Sequence, residues 1–196
     1  MENSIDLPKI RIITVSGRIG AGSTSLARHL AEKLGWKHIE GGDIFWETVR
    51  KRMHVDTKDT KLRADEEDLL FEKKQDQILK NEKHIVLESK LAGFCAQDIA
   101  DIYKVGVICA DENGVDQVEE RVKRLMEREK VTLDDSRKEV LEREKNDLEK
   151  WRRLYAKDDQ NWVYWDSKYY DLVVNTFSRS QEESMEAVLK AIGQKV

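Results

Sequence analysis

The sequence predicts an α/β fold on three observations. Short β-branched runs recur along the chain, charged stretches of helical period separate them, and a glycine-rich turn joins the first run to the first helix. The runs are Ile10–Val15, Lys37–Ile39, His84–Leu87, Val105–Ile108 and Leu172–Val174. Nearly continuous apolar runs this short suit strands covered on both faces, as in a parallel sheet packed between helices. Helical spacers between them read as crossover connections. One proline and ten glycines in 196 residues leave few helix breakers, so long helices are expected.

The first helix is predicted over Ser23–Leu34, where Leu26, Leu30 and Leu34 share one face at i, i+4, i+8. The stretch from Met53 to Lys83 is charged and only weakly amphipathic, which predicts a helical insert over the sheet edge outside the core. Thr132 stands three residues before Asp135, a capping-box start for one long helix reaching about Tyr155. Ser180 and Glu183 open the last helix in the same way, with Gly193 near its end. Without a repeat, a low-complexity tract or a Pro/Gly/Ser linker, a single domain over residues 1–196 is expected.

Composition narrows the function classes. Hydrophobic residues make up 39% and charged residues 38%, a highly charged chain that still has enough apolar side chains to fold. No stretch approaches the roughly 18 consecutive apolar residues of a membrane span. Acidic residues and the lack of an apolar core in Met1–Lys9 argue against a secretory signal. Cys95 and Cys109 match no zinc spacing and are expected as reduced thiols of a cytoplasmic protein. A formal net charge of −4 argues against bulk nucleic-acid binding. His29, His38, His54 and His84 show no ligand spacing.

Chemistry enters at Gly17-Arg18-Ile19-Gly20-Ala21-Gly22-Ser23-Thr24-Ser25, between the first strand and the first helix. Glycines let backbone N–H groups curl around a phosphate, and the helix N-terminus adds partial positive charge. Gly17, Gly20, Ala21, Gly22, Ser23, Thr24 and Ser25 are therefore the candidate phosphate-binding residues, with Thr24 placed to ligate Mg²⁺ through its hydroxyl. Phosphate loops of this kind normally carry lysine where this chain has Ser23. The alternative is a plain glycine turn that caps a helix.

With the turn in place, the chain resembles the cytidylate kinases, especially the short archaeal-type (d)CMP kinases among P-loop nucleoside monophosphate kinases. The resemblance runs from about Ile10 to Thr176. It is carried by Gly41–Phe45, Val86–Gly93, the arginine-rich Arg121–Glu129 and Tyr170–Thr176, in that order. That group similarly tends to place a hydroxyl residue where the loop lysine would be. The resemblance implies a P-loop NTPase three-layer sandwich with a five-stranded parallel sheet. It also implies a nucleoside monophosphate-binding insert at roughly residues 43–83 and a helical lid at roughly 113–156. The implied activity is Mg²⁺-dependent phosphoryl transfer from ATP to CMP or dCMP by a cytoplasmic monomer, with no membrane or nucleic-acid partner. Where the family usually has arginine, this chain has Trp46, Lys90 and Lys150.

Independently of family, Arg121, Arg124 and Arg128 stand at i, i+3, i+7 on one helix stripe, and Arg143, Asp147 and Lys150 repeat the spacing at i, i+4, i+7. Arginine suits the equatorial oxygens of a transferring phosphoryl group, and a solvated helix face with internal ion pairs is the competing reading. Arg121, Arg124, Arg128 and Arg143 are the candidate catalytic cations. By resemblance, Arg128 and Arg143 contact phosphates, while Asp147 and Lys150 reach the acceptor's base or phosphate. Lys90 and Asp43 complete the candidate acceptor set. Asp43 would accept a hydrogen bond from a nucleotide, position Mg²⁺ through water, or simply cap the following helix. Glu88, at the end of the third strand, would help hold the metal or form a strand-terminal salt bridge. Trp162, Tyr164, Trp165, Tyr169 and Tyr170 are expected to pack under the lid. The alternatives to a cytidylate kinase are a kinase for another monophosphate or small molecule on the same fold, and a non-catalytic nucleotide-binding module.

Overall fold

The computed structural model describes residues 4–45, 47 and 64–194. Its sheet has five strands: β1 (Ile12–Gly17), β2 (Lys37–Glu40), β3 (Ile85–Glu88), β4 (Ile102–Ile108) and β5 (Leu172–Asn175). They lie in the order β2-β3-β1-β4-β5, and every pairing is parallel. The registers Val15↔Glu88 and Glu40↔Glu88 bring the carboxyl ends of β1, β2 and β3 to one edge. Ligands of open α/β sheets bind outside that edge. β4 begins at Ile102, three residues before the predicted run, because the half-buried Tyr103 and Lys104 interrupt its apolar pattern. The Lys104 Nζ is paired with Asp171 at 2.9 Å.

Alternate strand residues face two different cores, which is what makes the runs read as continuous. On one side Ile13, Val15, Val86, Val105 and Val174 meet Leu26, Leu30 and Leu34 of α1 (Ser23–Leu34), and Val188 and Leu189 of the last helix, Gln181–Ala191. On the other side Ile12, Ile85, Leu87 and Ile102 meet Ile44 of α2 (Gly41–Phe45), Ile78 and Leu79 of α3 (Asp65–Asn81) and Ala92 of the short α4 (Ala92–Cys95). The result is helix, sheet, helix. The expectation that the Met53–Lys83 stretch stays out of the core is corrected in its C-terminal half, where Leu79 is 0% exposed. A single pair of apolar residues at the end of a charged helix is too sparse to raise its amphipathicity. Trp46, His54 and residues 48–63, which include the start of that stretch, lie outside the described residues.

A helical arm follows β4. It comprises α5 (Val118–Glu129), α6 (Leu133–Arg137), a π-helical turn at Lys138–Arg143 and α7 (Glu144–Tyr155). The predicted uninterrupted α-helix from Thr132 is corrected here, since Lys138–Arg143 widens to i→i+5 bonding. Thr132 does cap the start, accepting from Asp135 N at 3.2 Å. The reciprocal arm of a capping box is not formed, because the short Asp135 carboxylate takes the Thr132 hydroxyl proton instead, at 2.7 Å. Ser180 and Glu183 do form the full box on the last helix, α8 (Gln181–Ala191). Trp162 and Tyr164 pack with Trp151 of α7 and Leu91, flanked by Trp165 and Tyr169. Tyr170 fills the space over Gly93 and Gly106, where an added Cβ would come within 2.4 and 2.7 Å of its ring. Cys95 and Cys109 are unpaired, and burial pushes the Cys95 thiol up to about 12. Among the described residues no helix is long and apolar enough to cross a membrane.

Leu79→Ala tests the corrected role of α3. It should cost about 2–5 kcal/mol in urea denaturation, as core truncations do, whereas an insert lying outside the core would lose almost nothing.

Candidate active site

The turn between β1 and α1 is shaped by three glycines. Gly20 has φ +77° and lies so close to α5 that a Cβ would sit 2.3 Å from the Arg121 carbonyl oxygen. Gly22 has φ +100° and precedes α1 without any side-chain cap, and no acidic residue occupies the first turn. The amides of the first turn of α1 therefore have no capping side chain competing with an anion. Gly17 is pressed against Val107 and Ser23, at 3.1 and 3.2 Å from an added Cβ.

A cavity of about 550 Å³ opens in front of this turn. It gathers most of the residues predicted from sequence: Gly17, Gly20, Gly22, Ser23, Thr24 and Asp43, then Lys90, Arg128, Arg143 and Asp147. A second cavity of about 490 Å³ lies on the other side of Gly20 and Gly22, and takes in Ser25 and Arg124 as well as Arg128. Three predicted residues reach neither cavity. Ala21 is buried under the turn. Arg121, also buried, is turned to the back of the loop, and Lys150 is turned to α3, where it pairs with Asp68 and lies 3.6 Å from Asp65. Helical spacing placed Arg121 on a stripe with Arg124 and Arg128; the loop packing against α5 decided which of the three face a cavity.

Around the first cavity the charges are arranged in sets. Arg128 Nη1 donates to Thr24 Oγ1 at 2.9 Å, so a guanidinium stands at the mouth of α1. Ser23 Oγ donates to Glu88 Oε1 at 2.9 Å, where the alternative reading of Glu88 is a strand-terminal salt bridge. Burial, with Glu40 alongside, pushes the Glu88 carboxyl up to about 7. Asp43 sits inside the first turn of α2 and does not cap it. Lys90 Nζ donates to Asp147 Oδ2, burial pulling the ammonium below its ordinary value. Arg143 donates to Glu139 through Nη1 and stands 3.9 Å from Asp147 Oδ2 through Nε. Asp147 is 2% exposed, and its Oδ1, like Arg143 Nε, has no hydrogen-bond partner among the described residues. Buried polar atoms left open beside a cavity are places for a ligand's own donors and acceptors.

Sequence reasoning missed Arg18, Glu40, Phe71, Glu72 and Lys138, which line the same cavity. Arg18 was visible inside the glycine turn. The others carry no local signal, since only tertiary packing brings α3 and the π-helical turn to the strand ends.

A parallel sheet in this order, with a glycine turn feeding an uncapped helix and arginines from a helical arm facing it, defines a phosphate-loop kinase fold. The chain belongs to the cytidylate kinase-like family, whose profile matches residues 12–178. It is 31% identical over 182 residues to a cytidylate kinase of Methanopyrus kandleri, covering 92% of this chain and 91% of that one. It is 34% identical over 182 residues to a cytidylate kinase of Archaeoglobus fulgidus, covering 92% and 93%. Among solved structures, an uncharacterized protein from Eubacterium ventriosum superposes with a TM-score of 0.63 at 17% identity, over 94% of this chain and 99% of that one. A shikimate kinase from Acinetobacter baumannii does so with 0.54 at 18% identity, over 93% of each. These two likenesses concern the fold.

One group in the cavity wall gives a pH signature. Burial above all, with the Asp68 carboxylate adding to it, pushes the Glu72 carboxyl up to about 7. A carboxyl raised in the folded state contributes less stability as pH climbs from its ordinary 4.5 through about 7. Glu72→Gln should therefore raise the melting temperature at about pH 8 and have a vanishing effect toward about pH 5. Equal shifts at both ends of a thermal-melt series would contradict the assignment.

Proposed function

We propose that this protein transfers the γ-phosphoryl group of ATP to CMP or dCMP, giving the corresponding diphosphate and ADP. The observation that carries the reading is the convergence, in one cavity, of the uncapped glycine turn, Arg128 on Thr24, and the Lys90–Asp147–Arg143 set with its open polar atoms. The relatives named cytidylate kinase, similar over nine-tenths of the chain, support the acceptor.

Each side chain then has a task. The amides of Gly22–Thr24 take the donor's phosphates, and the second cavity, beside Arg124 and Ser25, has room for its nucleoside. Arg128 and Arg143 face the equatorial oxygens of the group in transit and neutralise the charge that spreads over them. Lys90 and Asp147 orient the acceptor so that its phosphate oxygen meets phosphorus in line with the departing oxygen of ADP. The arm α5–α7 acts as a lid that excludes water, which would otherwise take the phosphoryl group. The unpaired thiols of Cys95 and Cys109 fit the cytoplasm.

The donor set suits Mg²⁺. The Thr24 hydroxyl and the carboxylates of Glu40, Asp43 and Glu88 line the same cavity, and all are hard oxygen donors. Burial first, and Glu40 next, hold the Glu88 carboxyl up, and a cation in front of it would offset both. Thr24 would hold the ion directly, and Asp43 or Glu88 through water. When bound it would supply neutralisation of the β- and γ-phosphate oxygens.

A single-turnover assay with ATP, Mg²⁺ and CMP should yield CDP, and a coupled assay across CMP, dCMP, UMP and AMP should favour the two cytidylates; preference for AMP would reject the acceptor. Thr24→Ala and Arg128→Ala should each lower kcat/KM by at least about tenfold, roughly 1.4 kcal/mol of barrier. Ser23→Lys should bring no gain in rate, because an ammonium at that position meets Glu88 before it meets a phosphate.

A further inference from the structure

The glycine turn is held from behind by four charged side chains with no place in the mechanism above, of which Arg18 alone also reaches the wall of the first cavity. Arg18 Nε and Nη2 donate to Glu144 Oε1 at 3.0 and 2.5 Å, and Arg18 Nη1 pairs with Asp116 at 3.0 Å. Arg121 Nη1 donates to Glu144 Oε2 at 2.9 Å, and its Nη2 to Asp116 Oδ2 at 3.0 Å. Both acids thus bridge the same two arginines. Arg121 is 0% exposed and Glu144 4%, and the Arg18 guanidinium lies 4.3 Å from the Trp165 ring centroid.

Two positive and two negative charges cancel, so this group offers no net charge to a polyphosphate. What it grips is backbone. Ile19 N donates to Glu144 Oε2 at 3.3 Å, and Ile19 O accepts from Arg121 Nη1 at 2.8 Å. Next to it, Gly20 rests on the Arg121 main chain. The Ile19 side chain packs on Val122, Leu125 and Val140 of the arm.

The same residues are rigidly connected to the cavity cations. Arg121 and Arg128 are seven positions apart on α5, about 10 Å along a stiff helix. Glu144 follows Arg143 directly, and consecutive helical residues diverge by about 100°, so one can grip the loop while the other faces the cavity. The π-helical turn ends at Arg143, where it sets the register of that pair.

We propose that Arg18, Asp116, Arg121 and Glu144 form a buried positioning unit that fixes the glycine turn relative to Arg128 and Arg143. In a loop without its lysine, this unit aligns the phosphate site with the cations that act on the γ-phosphoryl group. The inference rests on the phosphotransferase reading. Hydrogen bonds from Arg18 and Arg121 overcome burial and hold the Glu144 carboxyl below its ordinary value, so the unit stays charged through neutral pH.

The test uses Arg18→Lys, which keeps the charge and loses the fork, and the double variant Arg18→Gln/Glu144→Gln, which removes one charge of each sign and leaves no net charge buried. Melting temperature, ATP affinity by calorimetry with Mg²⁺, and kcat and KM for ATP and CMP are measured on both and on the parent. Both variants should stay folded at the assay temperature, with KM for CMP changed less than about threefold, and lose roughly tenfold to a hundredfold in kcat, the scale of a 1 Å misplacement. Folded variants with kcat within about twofold of the parent overturn the unit and leave the function intact. A parent that phosphorylates no nucleoside monophosphate overturns the function and the unit with it. Should the double variant fail to fold, Arg18→Lys decides alone.

Discussion

The backbone of Ile19 is held on both sides, its N–H by Glu144 and its C=O by Arg121. A glycine turn has little intrinsic shape, because the residues that let its amides curl also let them wander. Ordering it needs contacts to backbone rather than to side chains, and here those contacts come from the helical arm. Any larger residue than Gly20 would force the loop and α5 apart, since an added Cβ would come within 2.3 Å of the Arg121 carbonyl oxygen. Loop geometry and arm position are therefore one constraint. The second cavity, the first cavity and the guanidinium on Thr24 all take their places from it.

Charge around the site is partitioned accordingly. At the back of the loop, the ionised groups are matched in number and paired with one another through both Nη atoms of Arg121, whose Nε alone has no partner among the described residues. At the front, they are left in tension. Glu88, buried and beside Glu40, resists ionising, and burial pulls the Lys90 ammonium down against its pairing with Asp147. Perturbed groups that gather in a cleft while neighbouring groups are neatly paired mark the working side of a site. Arg121 and Arg128 lie on the same helix, and the difference between them is which of these two populations each has joined.

The sheet was legible because its strands are buried on both faces, so Ile12–Val15 and Ile85–Leu87 read as continuous apolar runs whichever way each side chain points. The turn was legible because three glycines between a strand and an amphipathic helix have few other uses. α1 and the capping box of Ser180 and Glu183 were local too. What escaped was set by tertiary contact. Nothing near Leu79 announces that the end of a charged helix covers β1, β3 and β4. The π-helical turn at Lys138–Arg143 has neither proline nor glycine to mark it. Arg121, Arg124 and Arg128 are alike in spacing and chemistry, and only the approach of the loop buries the first, turns the second toward Thr176 and leaves the third on Thr24. Lys150 likewise follows Asp65 and Asp68, which are distant in sequence.

The acceptor side shows why such a site is not built for stability alone. Asp147 Oδ2 satisfies Lys90, yet Oδ1 of the same buried carboxylate is left open, as is Nε of Arg143 nearby. A buried polar atom without a partner costs about 1–3 kcal/mol, and a chain selected only to fold would fill such positions with apolar groups. The open atoms are an acceptor and a donor on neighbouring side chains, the complement of a ligand that presents a donor and an acceptor together. A ligand that presents both groups together would satisfy the two atoms at once, whereas one that presents either alone would leave the other buried and unpaired. The Lys90 ammonium already pairs with the second oxygen of the same carboxylate, so it keeps charge at this position without the planar fork of an arginine.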